Sequence, residues 1–283
     1  MFFVKTENTL RNKINILKKN KKQIGFIPTM GNLHNGHLML IKKAKQIADI
    51  IIVSIYVNPM QFDCKNDFKN YPRTLKNDYL KLKKNNVDLV FSPTNLFSKY
   101  NSLKYQTFVE VPKFSSIAEG INRHLHFRGV STVLTKLFNL IKPNIALFGE
   151  KDYQQLQLVH KLVRDLSFDI KIISIPTVRL KNGLALSSRN NNLSKKELKI
   201  APQLYNILKK AKIKLIHSKQ TIESIKSEIK KDLLDSGFIP DSIFIRDALN
   251  LEKINNNSKK AIILIAVWLG KTRLIDNLKI NLF

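Results

Sequence analysis

The chain has 283 residues, 43% of them hydrophobic, which is enough to bury a core and to form one large domain with a smaller second one. Lys and Arg number 49 against 21 Asp and Glu, a formal net charge of +28, yet the lysines are scattered over nearly every polar helix face apart from a short cluster at Lys18 to Lys22; this favours a solvated basic surface that draws anionic substrates over specific nucleic-acid binding. No run approaches the roughly 20 apolar residues of a membrane helix, the N-terminus lacks the apolar stretch of a secretory signal, and the lone Cys64 excludes an internal disulfide or cysteine-built zinc site, so a cytoplasmic protein with an incidental or packing thiol is expected.

Apolar runs predict strands at Gln23 to Pro28, Ile50 to Val57, Val87 to Phe91, Thr107 to Val111, Asn144 to Phe148 and Asp169 to Ile175. Helical periodicity predicts helices at Gly36 to Ala48, Thr74 to Lys84, Ser131 to Ile141 and Tyr153 to Leu166. Strands separated by helix-length segments imply parallel crossovers, so the first part of the chain reads as an α/β, Rossmann-like parallel-sheet domain that binds a nucleotide. Beyond Arg189 the pattern changes. A long lysine-rich helix from Ser194 to about His217, a second at Ile222 to Leu234, and strands at Ser242 to Arg246, Ala261 to Trp268 and Thr272 to Asn277 predict a smaller C-terminal α+β domain. The expected domains are 1–185 and 186–283.

In open α/β sheets ligands sit beyond the carboxyl ends of the strands, which directs attention to four segments. Met30-Gly31-Asn32-Leu33-His34-Asn35-Gly36-His37 follows the first predicted strand, and its His-x-Gly-His spacing puts two imidazoles and an unobstructed backbone at a helix start, where an anion is favoured. Asn58 and Gln61 follow the second strand; their amides donate and accept, which suits a substrate bearing hydroxyls and a carboxylate. Gly149-Glu150-Lys151-Asp152 closes the fifth strand, where Lys151 can neutralise phosphate and Asp152 can bond a ribose, with Gln155 one helical turn further in. Leu186-Ser187-Ser188-Arg189 offers two hydroxyls and a guanidinium to a pyrophosphate leaving group. Each segment also has a plainer use, as a helix cap, an ordinary loop or a surface ion pair. The chain lacks both the Walker phosphate loop and the Gly-x-Gly-x-x-Gly fingerprint, which disfavours a Walker ATPase or a dehydrogenase.

Six ordered motifs carry a closer likeness: Pro28 to His34, Val57 to Phe62, Tyr71-Pro72-Arg73-Thr74, His126-Phe127-Arg128-Gly129-Val130, Phe148 to Asp152 and Leu186 to Asn190. Together they resemble the pantothenate synthetase (pantoate:β-alanine ligase) family within the His-x-Gly-His nucleotidyltransferases, over nearly the whole chain. The resemblance implies a homodimer whose C-terminal domain closes over an ATP-binding first domain. It implies that (R)-pantoate attacks the α-phosphorus of Mg-ATP and that β-alanine then attacks the pantoyl adenylate. It also implies the residue roles: Met30 to His37, Gly149 to Asp152, Val178 and Leu186 to Arg189 bind ATP; His37 and Lys151 are catalytic; Gln61, Gln155 and Asn58 hold pantoate; Gln61 also serves β-alanine; Asp78 neighbours magnesium. Two segments depart from the family's pattern. Arg123-His124-Leu125-His126 replaces Arg-Pro-Gly-His in what resembles a lid, and Asn190-Asn191-Asn192-Leu193 replaces Asn-Gly-Tyr-Leu. The rival classes are a basic RNA-binding protein, which would need an RNA module that the roughly 95 residues after Arg189 leave little room for, and a cytidylyltransferase, which would not need the paired Gln61 and Gln155.

Overall fold

A computed structural model describes residues 1–19, 21–63, 65–97, 107–123, 125–218 and 220–282. Cys64 and His124, for which a packing thiol and a departure in the lid segment were expected, lie outside the described residues. The chain divides into two compact units, one of residues 1–116, 120–150 and 158–176, the other of 117–119, 151–157 and 177–283.

In the first unit the order is β1 (Phe2–Val4), α1 (Glu7–Lys19), β2 (Ile24–Thr29), α2 (Asn35–Ala44), β3 (Ile50–Ile55), α3 (Lys65–Asn70), α4 (Leu75–Lys84), β4 (Leu89–Phe91), α5 (Pro112–Ser116), α6 (Glu119–Asn122), α7 (His126–Ile141), β5 (Ile145–Gly149), α8 (Tyr153–Asp165) and β6 (Lys171–Ile175), with parts of α6 and α8 counted in the second unit. Six strands form one parallel sheet in the order β1-β4-β3-β2-β5-β6. Every residue of β3 is buried, as expected of a central strand covered on both faces. Neighbouring residues of β2 show the two layers: Ile27 joins Leu40, Ile41 and Ala44 of α2 in one core cluster, while the Phe26 ring meets Phe138 of α7 edge-on, with centroids 6.3 Å apart.

Three expectations change. Residues 107–111 enter no sheet, because both backbone groups of Val109 bond to the Thr132 hydroxyl of α7, at 3.0 Å from the N–H and 3.3 Å to the carbonyl; the sixth strand is β1, paired with β4. Helix α7 starts at His126, five residues before the predicted Ser131, with Gly129 inside it where propensity argues against a helix. The long helix after Ser194 is two helices, because Pro202 has no N–H to continue the first.

The second unit continues with α9 (Lys195–Ile200), α10 (Gln203–His217), α11 (Ile222–Asp235), β7 (Ile239–Asp247), β8 (Lys260–Leu269) and β9 (Thr272–Asn281), the strands forming an antiparallel sheet β7-β8-β9. Its core follows from two periodicities. Leu204, Ile207, Leu208 and Ala211 line one face of α10, Ile225, Ile229 and Leu233 one face of α11, and alternate residues Ala261, Ile263, Ile265, Val267 and Leu269 of β8 meet them.

Candidate active site

Strand order reverses between β2 and β5: the chain runs outward from β2 through β3 to β4, then restarts at β5 on the other side. The segments leaving these two strands are Met30 to His37 and Gly149-Glu150, so the switch point that binds ligands in such sheets carries the first and third predicted motifs.

Part of the motif loop's shape lies in its own backbone. Gly31 and Asn32 are both left-handed, with φ of 81° and 49°. The Gly31 N–H bonds the Thr29 hydroxyl at 3.2 Å, and that hydroxyl donates to the Ser54 carbonyl of β3 at 2.8 Å. His34 caps α2. Its Nδ1 accepts the Gly36 N–H at 3.1 Å, while Nδ1 of His37 accepts the His34 N–H at 3.2 Å, and the two rings lie 4.1 Å apart. An N–H donor demands a lone pair on Nδ1, so the proton of each neutral ring sits on Nε2. Both histidines therefore carry an Nε2–H donor at a helix N-terminus, where a phosphate oxygen is favoured.

Asp78 of α4 is fully buried, and both its oxygens turn to this loop. Oδ2 accepts the Asn32 N–H at 2.9 Å and the Thr74 hydroxyl at 3.0 Å; Oδ1 accepts the Leu33 N–H at 2.8 Å. Among the described residues no three His, Cys, Asp or Glu side chains gather into a group that could hold a metal ion.

Asn58 and Gln61 are buried beside this loop. Asn58 Oδ1 accepts the Met60 N–H at 3.2 Å, and its Nδ2 donates to the Gly129 carbonyl of α7 at 2.9 Å and to Gln61 Oε1 at 3.3 Å. Gln61 Nε2 donates to the Met30 sulfur at 3.0 Å, and a ring nitrogen of His126 lies 2.9 Å from the Gln61 carbonyl. Asn58 thus ties its turn to α7, a use its place after a strand did not reveal. Two residues earlier, burial pushes the Tyr56 phenol above its ordinary range, opposed in part by a hydrogen bond to the Leu96 backbone. Gly149 ends β5 and Glu150 opens the 3-10 turn that follows, its Oε1 accepting the Ser174 hydroxyl at 3.0 Å.

The remaining predicted residues belong to the second unit. Lys151, Ser187 and Arg189 line one cavity together with Asn190 and Tyr205; Asp152 and Gln155 are not among its lining. Lys151 is held through its carbonyl, which accepts from Asn277 Nδ2 at 2.7 Å, and its ammonium stands 4.0 Å from Asp152. Val178 and Leu186 close a hairpin, the Leu186 N–H bonding the Val178 carbonyl at 2.9 Å. Ser187 caps the next turn by accepting the Arg189 N–H at 3.2 Å, and Ser188 begins that turn. Gln154 is buried and gives both ends of its amide to the backbone of Ile117 and Glu119, whereas its neighbour Gln155 is half-buried. Sequence reasoning missed the brace of this hairpin, Arg179 with Asp276, because the partners stand 97 residues apart.

The same fold occurs in known proteins. A family model described as Pantoate-beta-alanine ligase matches residues 3–279. The pantothenate synthetase of Buchnera aphidicola subsp. Acyrthosiphon pisum (strain Tuc7) is 54% identical over 283 residues, covering 100% of this chain and 99% of that relative. Among solved structures, the pantothenate synthetase of Thermus thermophilus superposes with a TM-score of 0.88 at 37% identity, over 98% of this chain and 99% of the other. A pantoate-beta-alanine ligase of Francisella tularensis, complexed with beta-gamma ATP and beta-alanine, superposes with a TM-score of 0.82 at 38% identity, over 98% and 97% of the two chains. The chain belongs to the pantoate–β-alanine ligase family, the pantothenate synthetases.

Proposed function

We propose that the chain condenses (R)-pantoate with β-alanine, driven by ATP, in two steps. A pantoate carboxylate oxygen attacks the α-phosphorus of ATP and pyrophosphate leaves; the β-alanine amine then attacks the acyl carbon of pantoyl adenylate, AMP leaves, and the amine loses a proton. Family membership supports the reaction, and the Francisella relative, complexed with beta-gamma ATP and beta-alanine, supports the two co-substrates.

The observation that carries the mechanism is the shared orientation of His34 and His37. With Nδ1 of each ring held by a backbone N–H, each presents an Nε2–H donor that can meet charge developing on phosphate oxygens, and the donors are set before substrate arrives. His37 acts in this way as the catalytic histidine. The rest of Met30 to His37, with Gly149 and Glu150, hold the nucleotide, and Lys151, Asp152, Val178 and Leu186 to Arg189 complete the set, Lys151 and Arg189 opposing pyrophosphate charge. Gln61 and Gln155 hold pantoate, and Gln61 also serves β-alanine; Asn58 acts on pantoate through the turn it ties to Gly129.

Magnesium fits as an ion carried in on the ATP phosphates, because Mg2+ in such sites takes only one or two protein oxygens beside phosphate and water. When bound, it supplies positive charge at the phosphates. The reading includes a cytoplasmic homodimer acting on ATP, (R)-pantoate and β-alanine, with no specific nucleic acid and no membrane as partner. No helix among the described residues is long and apolar enough to cross a membrane.

Labelled pyrophosphate should exchange into ATP when enzyme, magnesium and pantoate are present and β-alanine is absent. His37→Ala should slow that exchange by roughly 100-fold or more, the effect of one lost transition-state donor. A requirement for β-alanine would argue for a concerted route, and exchange with CTP or an amino acid in place of pantoate would overturn the substrate assignment.

A further inference from the structure

Asp78 stands outside the histidine motif, yet it is the group that shapes it. A carboxylate with no exposed surface is strongly destabilising unless its oxygens are bonded, and here three donors meet it: the backbone N–H groups of Asn32 and Leu33 and the Thr74 hydroxyl. It lies in the first turn of α4, whose dipole favours a negative charge there. The same helix also takes the other side of the loop, since the Lys81 ammonium donates to the Leu33 carbonyl. Both backbone groups of Leu33 are thus fastened to α4, one residue before His34.

The loop needs such fastening. Gly31 and Asn32 are consecutive left-handed residues, a conformation that glycine adopts freely and that asparagine tolerates as a single residue with local hydrogen bonds to hold it. Gly31 also has little room for a side chain. A Cβ there would lie 3.1 Å from Asp78 Oδ2 and 3.1 Å from Ile55.

From these contacts we infer that Asp78 is a positioning residue for adenylate formation: its carboxylate sets the Gly31–Leu33 backbone and through it the register in which His34 and His37 present their Nε2–H donors. It does not touch ATP, and its oxygens serve backbone N–H groups rather than magnesium. The inference rests on the reading of the histidine pair as the phosphate-binding element.

Asp78→Asn is the direct test, being isosteric but placing an NH2 where one of the backbone N–H groups needs an acceptor. Pantoate-dependent ATP:pyrophosphate exchange should fall by roughly 100-fold, the scale expected when reacting groups are misplaced by about 1 Å. Aminolysis of supplied pantoyl adenylate by β-alanine should stay within about twofold of the parent enzyme, as should the magnesium concentration giving half-maximal exchange. Thr74→Val, which keeps the carboxylate and removes one donor, should fold if Asp78→Asn does not and should show a smaller loss with the same preference for the first step. In the 15N spectrum of the histidines, the Nε2–H form of His34 and His37 should give way to a tautomer mixture in Asp78→Asn. Recovery of exchange at high magnesium would overturn the inference in favour of a metal neighbour, and equal loss in both half-reactions would reduce Asp78 to scaffold. If His37→Ala leaves exchange intact, the failure belongs to the reading of the histidines and not to the role of Asp78 in shaping their loop.

Discussion

The Arg179 guanidinium holds the Asp276 carboxylate through two bonds, of 2.6 and 2.8 Å, while lying over the Tyr205 ring 3.7 Å from its centroid. The pair fastens the hairpin that carries Val178 and Leu186 to β9, and the Asp276 side chain is only 3% exposed. Arg179→Ala should therefore destabilise the protein by about 3–5 kcal/mol, the usual result of leaving a buried charge without its partner. Chemical denaturation checks this, and Arg179→Lys should recover only part of the loss because an ammonium lacks the planar fork. A loss below about 1 kcal/mol would show that the pair is no brace.

Gly129 sits where α7 touches the turn after β3. A Cβ there would come within 2.5 Å of the Met60 carbonyl and 2.6 Å of the Gln61 nitrogen, all backbone atoms that cannot swing aside. Gly129→Ala should cost about 1–3 kcal/mol and raise the KM for pantoate more than that for ATP, because the displaced turn carries Gln61. Gly149→Ala is the contrast. No atom lies within 4 Å of a Cβ built there, so thermal stability should hardly move.

Lys151 should matter most to the step that releases pyrophosphate. Replacing it with Ala is expected to slow pantoate-dependent exchange by roughly 10- to 100-fold, the range for loss of one hydrogen bond to a charged group, and to leave aminolysis of supplied adenylate much less affected. Equal slowing of the two half-reactions would remove Lys151 from this role.

The basic surface, with its formal charge of +28, should bind polyanions weakly and without sequence preference. Titration of a heparin or duplex DNA column with salt should show log affinity falling linearly with log salt concentration. Sequence-selective RNA binding that persists at high salt would revive an RNA-binding function.

Much of the sheet was legible because parallel strands buried on both faces read as short apolar runs, as at Ile50–Ile55. The sequence reading assigned no element before Gln23, passing over the helix Glu7–Lys19 and the strand Phe2–Val4, the latter too short to show a pattern, and it read the apolar run 107–111 as a strand. Pairing decided the two strand cases. Val4 and its neighbours found β4, whereas the Val109 backbone found Thr132.

By itself, the sequence determined the family, the α/β class and the order in which the polar motifs follow the strands, because these depend on local periodicity and on residues close together in the chain. It did not reveal which polar groups face a ligand and which hold the protein's own backbone. That choice needs partners far away: Asp78 meets Leu33 across 45 residues, Asn58 meets Gly129 across 71, and Arg179 meets Asp276 across 97. Carboxylates and amides bind a substrate or a backbone N–H with the same atoms, so only the folded chain, by bringing one donor within 3 Å and not another, separates a group that binds from a group that positions.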